Sequence, residues 1–511
     1  MSKVKTAYKE IEHIVGSEFI SDKDFMKAAY ARNVDPAFPD RWADMIVRPE
    51  TTEEVSEIVK IANKHNIKMV PRGGGADLVG GSTTEGGILI DLTRMNNIIE
   101  INEKDFYCEV ESGITWGALN TELLKRNLTI GIVGPGSGFS ATIGGGLSNS
   151  TAGFGSTKYG LITDNCLGVE VVLPNPEGSI IRTGSAANKY AKPFCRYGVA
   201  PDFTGLFLGD VGTMGIKTKA FLKLYPNPPY KIRRNYMLLK NDYNKLFELM
   251  HRCQSEIRDG LQDLYVAPLT IVRLLSTQAK KRPPKKARLK GPVLLFILEA
   301  FDERILKIYE ENLAKILKDD ARPFEWTEID LDESLAKDWR FNLKFSYTYF
   351  NKFVSLAPPK ISCTTCHKIP ISLMDEKKEL STNFDAANVG EFPDQSFSIF
   401  ASSIHLLSNG HCVFAGGFSV DNREDQREKA MKMWHKKVRA QARYGGVHYW
   451  LGEIISQSIA ESGAYTPEFI QFFKDMKKTV DPNFLLSPNK FHMYSYEDDF
   501  SKHLAEDEPY Y

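Results

Sequence analysis

The 511-residue chain is short of most features that announce a special class of protein. It carries no net charge, since 65 Lys and Arg balance 65 Asp and Glu, so no overall field draws it to nucleic acid or an anionic membrane. Long hydrophobic runs are missing: stretches such as Val293 to Leu298 fall far short of the ~20 residues a bilayer requires, and no transmembrane segment is predicted. Cysteine is scarce and odd in number, and seven in a chain this long fit reduced thiols better than a disulfide framework. The stretch from Met1 to Ile11 has neither an apolar h-region nor a cleavage pattern, so the expected address is the cytoplasm. Internal repeats are absent too. What is present, 42% hydrophobic and 25% charged residues, describes an ordinary folded protein with room for two to four domains.

Local signals organise the chain. Thr51-Thr-Glu-Glu54 reads as a capping box, and Val55, Ile58, Val59 and Ala62 follow at helical spacing, predicting a helix to about His65 and a strand over Ile67–Val70. Short strands are predicted at Ile88–Leu92, Ile98–Ile101 and Tyr107–Val110, and a helix over Trp116–Arg126. Prolines cluster at Tyr225 to Pro229, where a domain boundary is expected. Beyond it come a buried-strand candidate at Pro292–Ala300, a basic run at Lys280–Lys290, and a helix over Phe469–Val480 that Asp481-Pro482 stops. The run reads as a solvated loop or as a dock for an acidic partner.

The chemistry is concentrated in two glycine loops. Pro71-Arg-Gly-Gly-Gly-Ala-Asp-Leu-Val-Gly-Gly81 follows a predicted strand, and its five glycines let successive backbone N–H groups converge on an anion such as a pyrophosphate. About sixty residues later Gly134-Pro-Gly-Ser-Gly138 and Ala141-Thr-Ile-Gly-Gly-Gly146 repeat that chemistry, with Ser148, Asn149 and Ser150 adding side-chain donors. Neither loop is the Rossmann fingerprint, because no G-x-G-x-x-G opens a helix with an acidic residue about twenty positions on, and no Walker sequence occurs.

The order of these motifs resembles the flavoproteins of the vanillyl-alcohol oxidase and para-cresol methylhydroxylase superfamily. Its carriers include Pro71 to Gly75, Ile90-Asp-Leu92, Val110 to Gly113, Ala141 to Gly145, Tyr159-Gly160, Asp164-Asn165, Glu170 to Leu173, Gly212 to Ile216, Gly452-Glu453, Asp481 to Asn483 and Ser487 to Lys490. The resemblance implies an α+β fold: a two-part FAD-binding domain and an α+β cap with an antiparallel sheet. Residues 1–228 would form the first part of the FAD domain, 229–454 the cap, and 455–511 the segment that completes the site. It also implies non-covalent FAD, because Ala76 stands where many relatives carry a tethering His and no Cys lies within Gly134 to Gly138. The cofactor would be held by Pro71, Arg72, Gly73, Gly74, Gly75, Ala76, Asp77, Gly80 and Gly81. The second loop would add Pro135, Gly136, Ser137, Gly138, Thr142, Ile143, Gly144, Gly145, Ser148, Asn149 and Gly153, and further positions are Tyr159, Asp164, Gly215, Ile216, Asn489 and Lys490.

The donor is left open between a small alcohol or 2-hydroxy acid of the D-lactate and glycolate kind and a para-substituted phenol; a flavin-binding electron-transfer subunit without its own substrate is the third reading. Val79 and Ile454-Ile455 stand where phenol oxidisers carry tyrosines and an arginine. His448 and His435 are candidate bases, Arg340 a carboxylate clamp and Tyr449 a further catalytic candidate. The 2-hydroxy-acid branch that the chain resembles carries two histidines and a glutamate; His405, His411 and Glu453 stand at those positions and would suit Zn²⁺ or Fe²⁺, the plain reading being histidines that flank a turn. Cys363-Thr-Thr-Cys366-His367 suits a metal, a redox pair, plain buried thiols or, read literally, haem attachment. Expected partners are a small-molecule substrate and an electron acceptor (electron-transferring flavoprotein, iron–sulfur protein or cytochrome), with a homodimer and no nucleic acid.

Overall fold

The computed structural model describes residues 3–32, 40–197, 200–238, 243–267, 293–320, 326–328, 360–374, 376, 398–488 and 490. Arg340, Asn489 and the basic run Lys280–Lys290 lie outside them.

Most local expectations hold because caps and burial patterns are short-range. The capped helix is Thr52–His65, with Thr51 accepting from the Glu54 N–H and Asn66 closing it at φ +50°. The Glu54 carboxylate reaches one residue further back than a capping box requires, accepting from the Glu50 N–H at 2.7 Å. Thr115 caps the Trp116–Leu124 helix. The last helix begins two residues before the apolar spacing suggests, at Pro467, because Thr466 caps it and proline fits the first turn.

Strands β1 (Ile20–Ser21), β2 (Met45–Val47), β3 (Met69–Arg72) and β4 (Ile88–Asp91) form a sheet in the order β1-β2-β4-β3. A five-stranded antiparallel sheet contains β5 (Ile98–Asn102), β6 (Tyr107–Glu111), β8 (Cys166–Val172), β9 (Ile180–Arg182) and β10 (Ile216–Lys223), in the order β5-β6-β10-β8-β9, and β7 (Leu128–Thr129) pairs β11 (Tyr225–Pro226). The C-terminal residues return to the first sheet: the Met69 N–H donates to Leu485 O and the Ser487 N–H to Met69 O, each at 2.8 Å. Lys477, fully buried, pins that return by donating to Thr213 O, Leu486 O and the Asp481 carboxylate.

The third sheet is antiparallel throughout. Its strands are β12 (Tyr230–Leu238), β13 (Leu261–Ala267), β14 (Val293–Ala300), β15 (Trp326–Glu328), β16 (Lys360–Pro370), β17 (Ser398–Leu406), β18 (His411–Asp421) and β19 (Val447–His448), in the order β15-β12-β14-β13-β17-β18-β16-β19. Leu264, Val266, Ile404, Leu406, Cys412, Phe414 and Ile369 turn to one face, where the Tyr243–Glu256 and Glu303–Asp320 helices cover them. Further along that face Ile361, Cys363, Phe418 and Val420 pack on the Glu424–Arg443 helix through Met433 and Trp434. Because a strand alternates its side chains, Asp263, Tyr265, Ser403, His405, Val413, Ala415 and Cys366 point the opposite way, toward the glycine loops.

Candidate active site

The first glycine loop is braced from within. Gly75 adopts φ +59°, and a Cβ there would lie 2.2 Å from the Arg72 guanidinium. That guanidinium is folded under the loop, donating to Tyr30 O and Ser82 O, so Arg72 supports the turn from below. Asp77 accepts from the N–H groups of Val79 at 2.6 Å and Gly81 at 2.8 Å. Burial pushes the Asp77 carboxyl above its ordinary range, against these two bonds and the charges of Lys490 and Arg72. Lys490, itself buried, donates to Gly80 O at 2.7 Å; burial pushes its ammonium below the usual lysine range, against the pull of Glu453 and Asp77.

Close approach of the two loops explains the glycines at positions 73 and 74. A Cβ at Gly73 would stand 2.2 Å from Thr142 Oγ1, and one at Gly74 only 1.6 Å from Ser140 O. The Gly209–Gly212 turn closes a third side. Asp210 gathers the Gly212 and Met214 N–H groups and the Lys217 ammonium, an ion pair 2.7 Å long whose partners are both buried. Val211 in that turn holds φ +51°, strained for a β-branched residue.

Between these loops and the third sheet lies a cavity whose empty volume, part of it open to solvent, is about 1760 Å³. One end is walled by Arg72 to Asp77, Pro135 to Ser137 and Thr142 to Gly146 except Ile143; the other by Phe154, Tyr265, Cys366, Ser403, His405, Val413, Ala415, Tyr449 and Trp450. At that second end His405 Nε2 lies 2.7 Å from Asp263 Oδ1, and the imidazole meets the Tyr265 ring edge-on at 5.6 Å. The Tyr449 hydroxyl accepts from the Ala152 N–H at 2.8 Å, tying the sheet to the loop before it. Burial pushes the Tyr265 phenol up to about 12 and raises the Cys366 thiol well above its ordinary value, so Cys366 meets the cavity as a neutral thiol.

Residues 43–184 match the family described as FAD binding domain. The glycolate oxidase subunit of Bacillus subtilis is 34% identical over 231 residues, 44% of this chain and 46% of that protein, so the match spans about half the relative's length. The mitochondrial cytochrome-linked D-lactate dehydrogenase of Arabidopsis thaliana is 25% identical over 88% of this chain and 73% of its own. Among solved structures, p-cresol methylhydroxylase superposes with a TM-score of 0.78 at 16% identity, covering 96% of this chain and 97% of that one. Residues 43–184 thus carry an FAD-binding domain, and the chain as a whole shares the fold of p-cresol methylhydroxylase.

Within this flavoprotein fold the cavity suits the cofactor. One end is lined by backbone of the glycine loops, and its wall holds two buried polar atoms without a hydrogen-bond partner: the donor Trp116 Nε1 and the acceptor Asn149 Oδ1. Several predicted cofactor residues stand behind the wall. Ile143 and Ile216 are core side chains; Gly138 O and Gly80 O accept from Gly117 N–H and Lys490. Asp164 accepts from the Leu161 N–H, and the Tyr159 hydroxyl donates to Glu299 at 2.6 Å.

The candidate bases divide. His405, predicted as a metal ligand, and Tyr449 line the cavity, whereas His448 and His435 do not. His448 turns to the far face against His367, ring centroids 6.0 Å apart. His435 Nδ1 lies 2.6 Å from the hydroxyl of Ser458. The metal sets are not assembled. Glu453 is bound by Arg41 at 2.7 Å, in a separate small cavity with Thr83 and Lys490, away from His405 and His411. Cys363, Cys366 and His367 sit on one extended strand, where Cys363 and His367 face the covering helices and Cys366 faces the cavity. A four-residue step along a strand separates Cys363 from His367 by about 13 Å, too far to share an ion. Cys412 instead donates to Ile369 O. Among the described residues no three His, Cys, Asp or Glu side chains are grouped to hold a metal.

Asp263, Thr157, Tyr265, Ser403, Trp116 and Phe154 were not legible as site residues. The one signal was Asp263, a carboxylate beside Gln262 in a strand that continues as Leu264-Tyr-Val-Ala267.

Proposed function

We propose that the chain is an FAD-dependent oxidoreductase that takes hydride from a small alcohol or 2-hydroxy acid of the D-lactate or glycolate kind and passes the electrons to an external acceptor. The observation that carries this reading is the single cavity joining the glycine loops to a recess that contains a carboxylate-bound imidazole, His405. FAD, when bound, supplies the acceptor of a hydride. The loops at Gly73 to Gly75 and Pro135 to Gly145 would hold it through backbone N–H groups, non-covalently, with Asn149 and Trp116 offering their unpartnered polar atoms. Lys217 stands in the cavity wall with its ammonium paired to Asp210. Phe154, Tyr449 and Trp450 line the donor's end with aromatic surface.

The same aromatic lining favours a second reading, a para-substituted phenol as donor, in keeping with the fold shared with p-cresol methylhydroxylase. The acceptor would be an electron-transferring flavoprotein, an iron–sulfur protein or a cytochrome, and the protein would work as a homodimer in the cytoplasm. Among the described residues no helix is long and apolar enough to cross a membrane. The test is the anaerobic absorption spectrum of the purified protein before and after D-lactate, glycolate and p-cresol. Bleaching of the flavin by a hydroxy acid supports the first reading and bleaching by p-cresol alone the second. An unbleached flavin leaves the electron-transfer subunit, and a protein without flavin overturns all three.

A further inference from the structure

His405 is held by a chain of contacts that crosses from one part of the molecule to the other. Its Nε2 faces Asp263 Oδ1 at 2.7 Å, across adjacent strands in which His405 and Tyr265 are directly opposite. The Thr157 hydroxyl, from the Ser156–Tyr159 turn on the glycine-loop side, lies 3.0 Å from the same Asp263 oxygen and 2.7 Å from Leu406 O. The Leu264 N–H donates to that hydroxyl at 3.0 Å. A hydroxyl has one proton to give, so Thr157 shares it between the carboxylate of β13 and the end of β17, fixing the strand positions of both dyad members. Asp263 is 1% exposed, its Oδ2 has no hydrogen-bond partner, and among the described residues its only ion-pair partner is His405. A buried carboxylate left this bare gains most from a neighbour that becomes cationic.

With Nε2–H turned to Asp263, the other ring nitrogen, Nδ1, has no partner among the described residues, and the ring lines the cavity. Tyr265 and Phe154 flank the ring at 5.6 and 6.4 Å and limit its rotation.

We infer that His405 is the proton acceptor of the reaction, taking the donor's hydroxyl proton at Nδ1, with Asp263 and Thr157 as its positioning residues. This rests on the oxidoreductase reading above. The balance is simple: the O–H proton goes to Nδ1, the C–H hydrogen leaves with its electron pair as hydride to the bound flavin, and a carbonyl and an imidazolium remain. The imidazolium is then paired with Asp263, which lowers its energy as it forms.

The experiment is anaerobic stopped-flow reduction of the flavin in the full-length holoprotein by whichever of D-lactate, glycolate and p-cresol bleaches it. His405→Ala should lower the limiting reduction rate by about 10²- to 10⁴-fold and recover part of it on addition of imidazole. Asp263→Asn and Thr157→Val should lower it by smaller factors with little change in the donor concentration for half-maximal rate, because they act through the ring and not on the donor. Flavin absorbance and thermal unfolding establish that each variant is folded and loaded; His405→Gln, closer in shape, stands in if the alanine variant is not. His405 variants that reduce at the wild-type rate overturn the assignment and leave the oxidoreductase reading intact. Loss of wild-type reduction on chelation, restored by a divalent cation, overturns it in favour of a metal. A wild-type flavin that none of the donors bleaches overturns both.

Discussion

Acid should unfold this protein through His448 and His367. The two are directly opposed on β19 and β16, each 5% exposed, and both nitrogens of His448 and Nδ1 of His367 lack a hydrogen-bond partner. Burial, helped by the nearby Lys437 ammonium, lowers the His367 imidazole to about 4; burial, helped by His367, lowers His448 to about 3. In the unfolded chain both return to about 6.5. Since the folded values lie below the unfolded ones, the unfolded chain binds the protons first, so the stability is complete above about pH 6.5 and drains away as pH falls toward 4 and 3. Each group contributes up to ~1.4 kcal/mol per pH unit, or ~2 kcal/mol between pH 6.5 and 5. Together they remove ~4 kcal/mol, a large share of a typical 5–15 kcal/mol. His448→Leu deletes one of the two without emptying the space. Denaturant midpoints at pH 7.5, 6 and 5 should show the variant losing ~2 kcal/mol less than wild type over that range. Equal losses in the two proteins would refute the claim that His448 is buried and neutral.

Three further outcomes follow from the geometry. Gly74→Ala places a methyl group where Ser140 O now sits, so the two glycine loops must part, and flavin affinity should fall at least ~100-fold, about 3 kcal/mol; fluorescence titration of the apoprotein with FAD measures it, and unchanged affinity would rule out the loop contact. Glu299, wholly buried, pairs with Lys158 at 2.9 Å and Lys231 at 3.0 Å and accepts from Tyr159, so Glu299→Gln strands two ammonium groups and should cost ~3 kcal/mol at pH 7. Burial alone would raise the Glu299 carboxyl, but Lys231 and Lys158 hold it below the usual carboxylate range. Its stabilisation is therefore present above about pH 4.3 and lost as pH falls further, and thermal scans should show the wild-type advantage shrinking only below that point. Finally, acid precipitation should leave all the flavin absorbance in the supernatant, since the loops are proposed to hold FAD without a covalent bond; yellow protein in the pellet would contradict it.

The chain alone determined what depends on neighbours a few residues apart. Thr51 and the proline stop at Asp481-Pro482 mark helix ends because capping is settled within one turn, and Pro292–Ala300 reads as a buried strand because Val293 to Leu298 is a continuous apolar run; all eight residues of Val293–Ala300 are indeed buried. The glycine loops were legible for the same reason: positive φ and missing Cβ atoms are local properties. Which side chains meet was decided only by the tertiary structure. Cys363-Thr-Thr-Cys366-His367 looks like a ligand set in one dimension, yet as part of an extended strand it sends its members to opposite faces. Glu453 is claimed by Arg41, 412 positions away, and His405 finds Asp263 across 142. Spacing along the chain carries no record of such partners, because strand register, and not sequence distance, sets which side chains share a face and which face looks into the cavity.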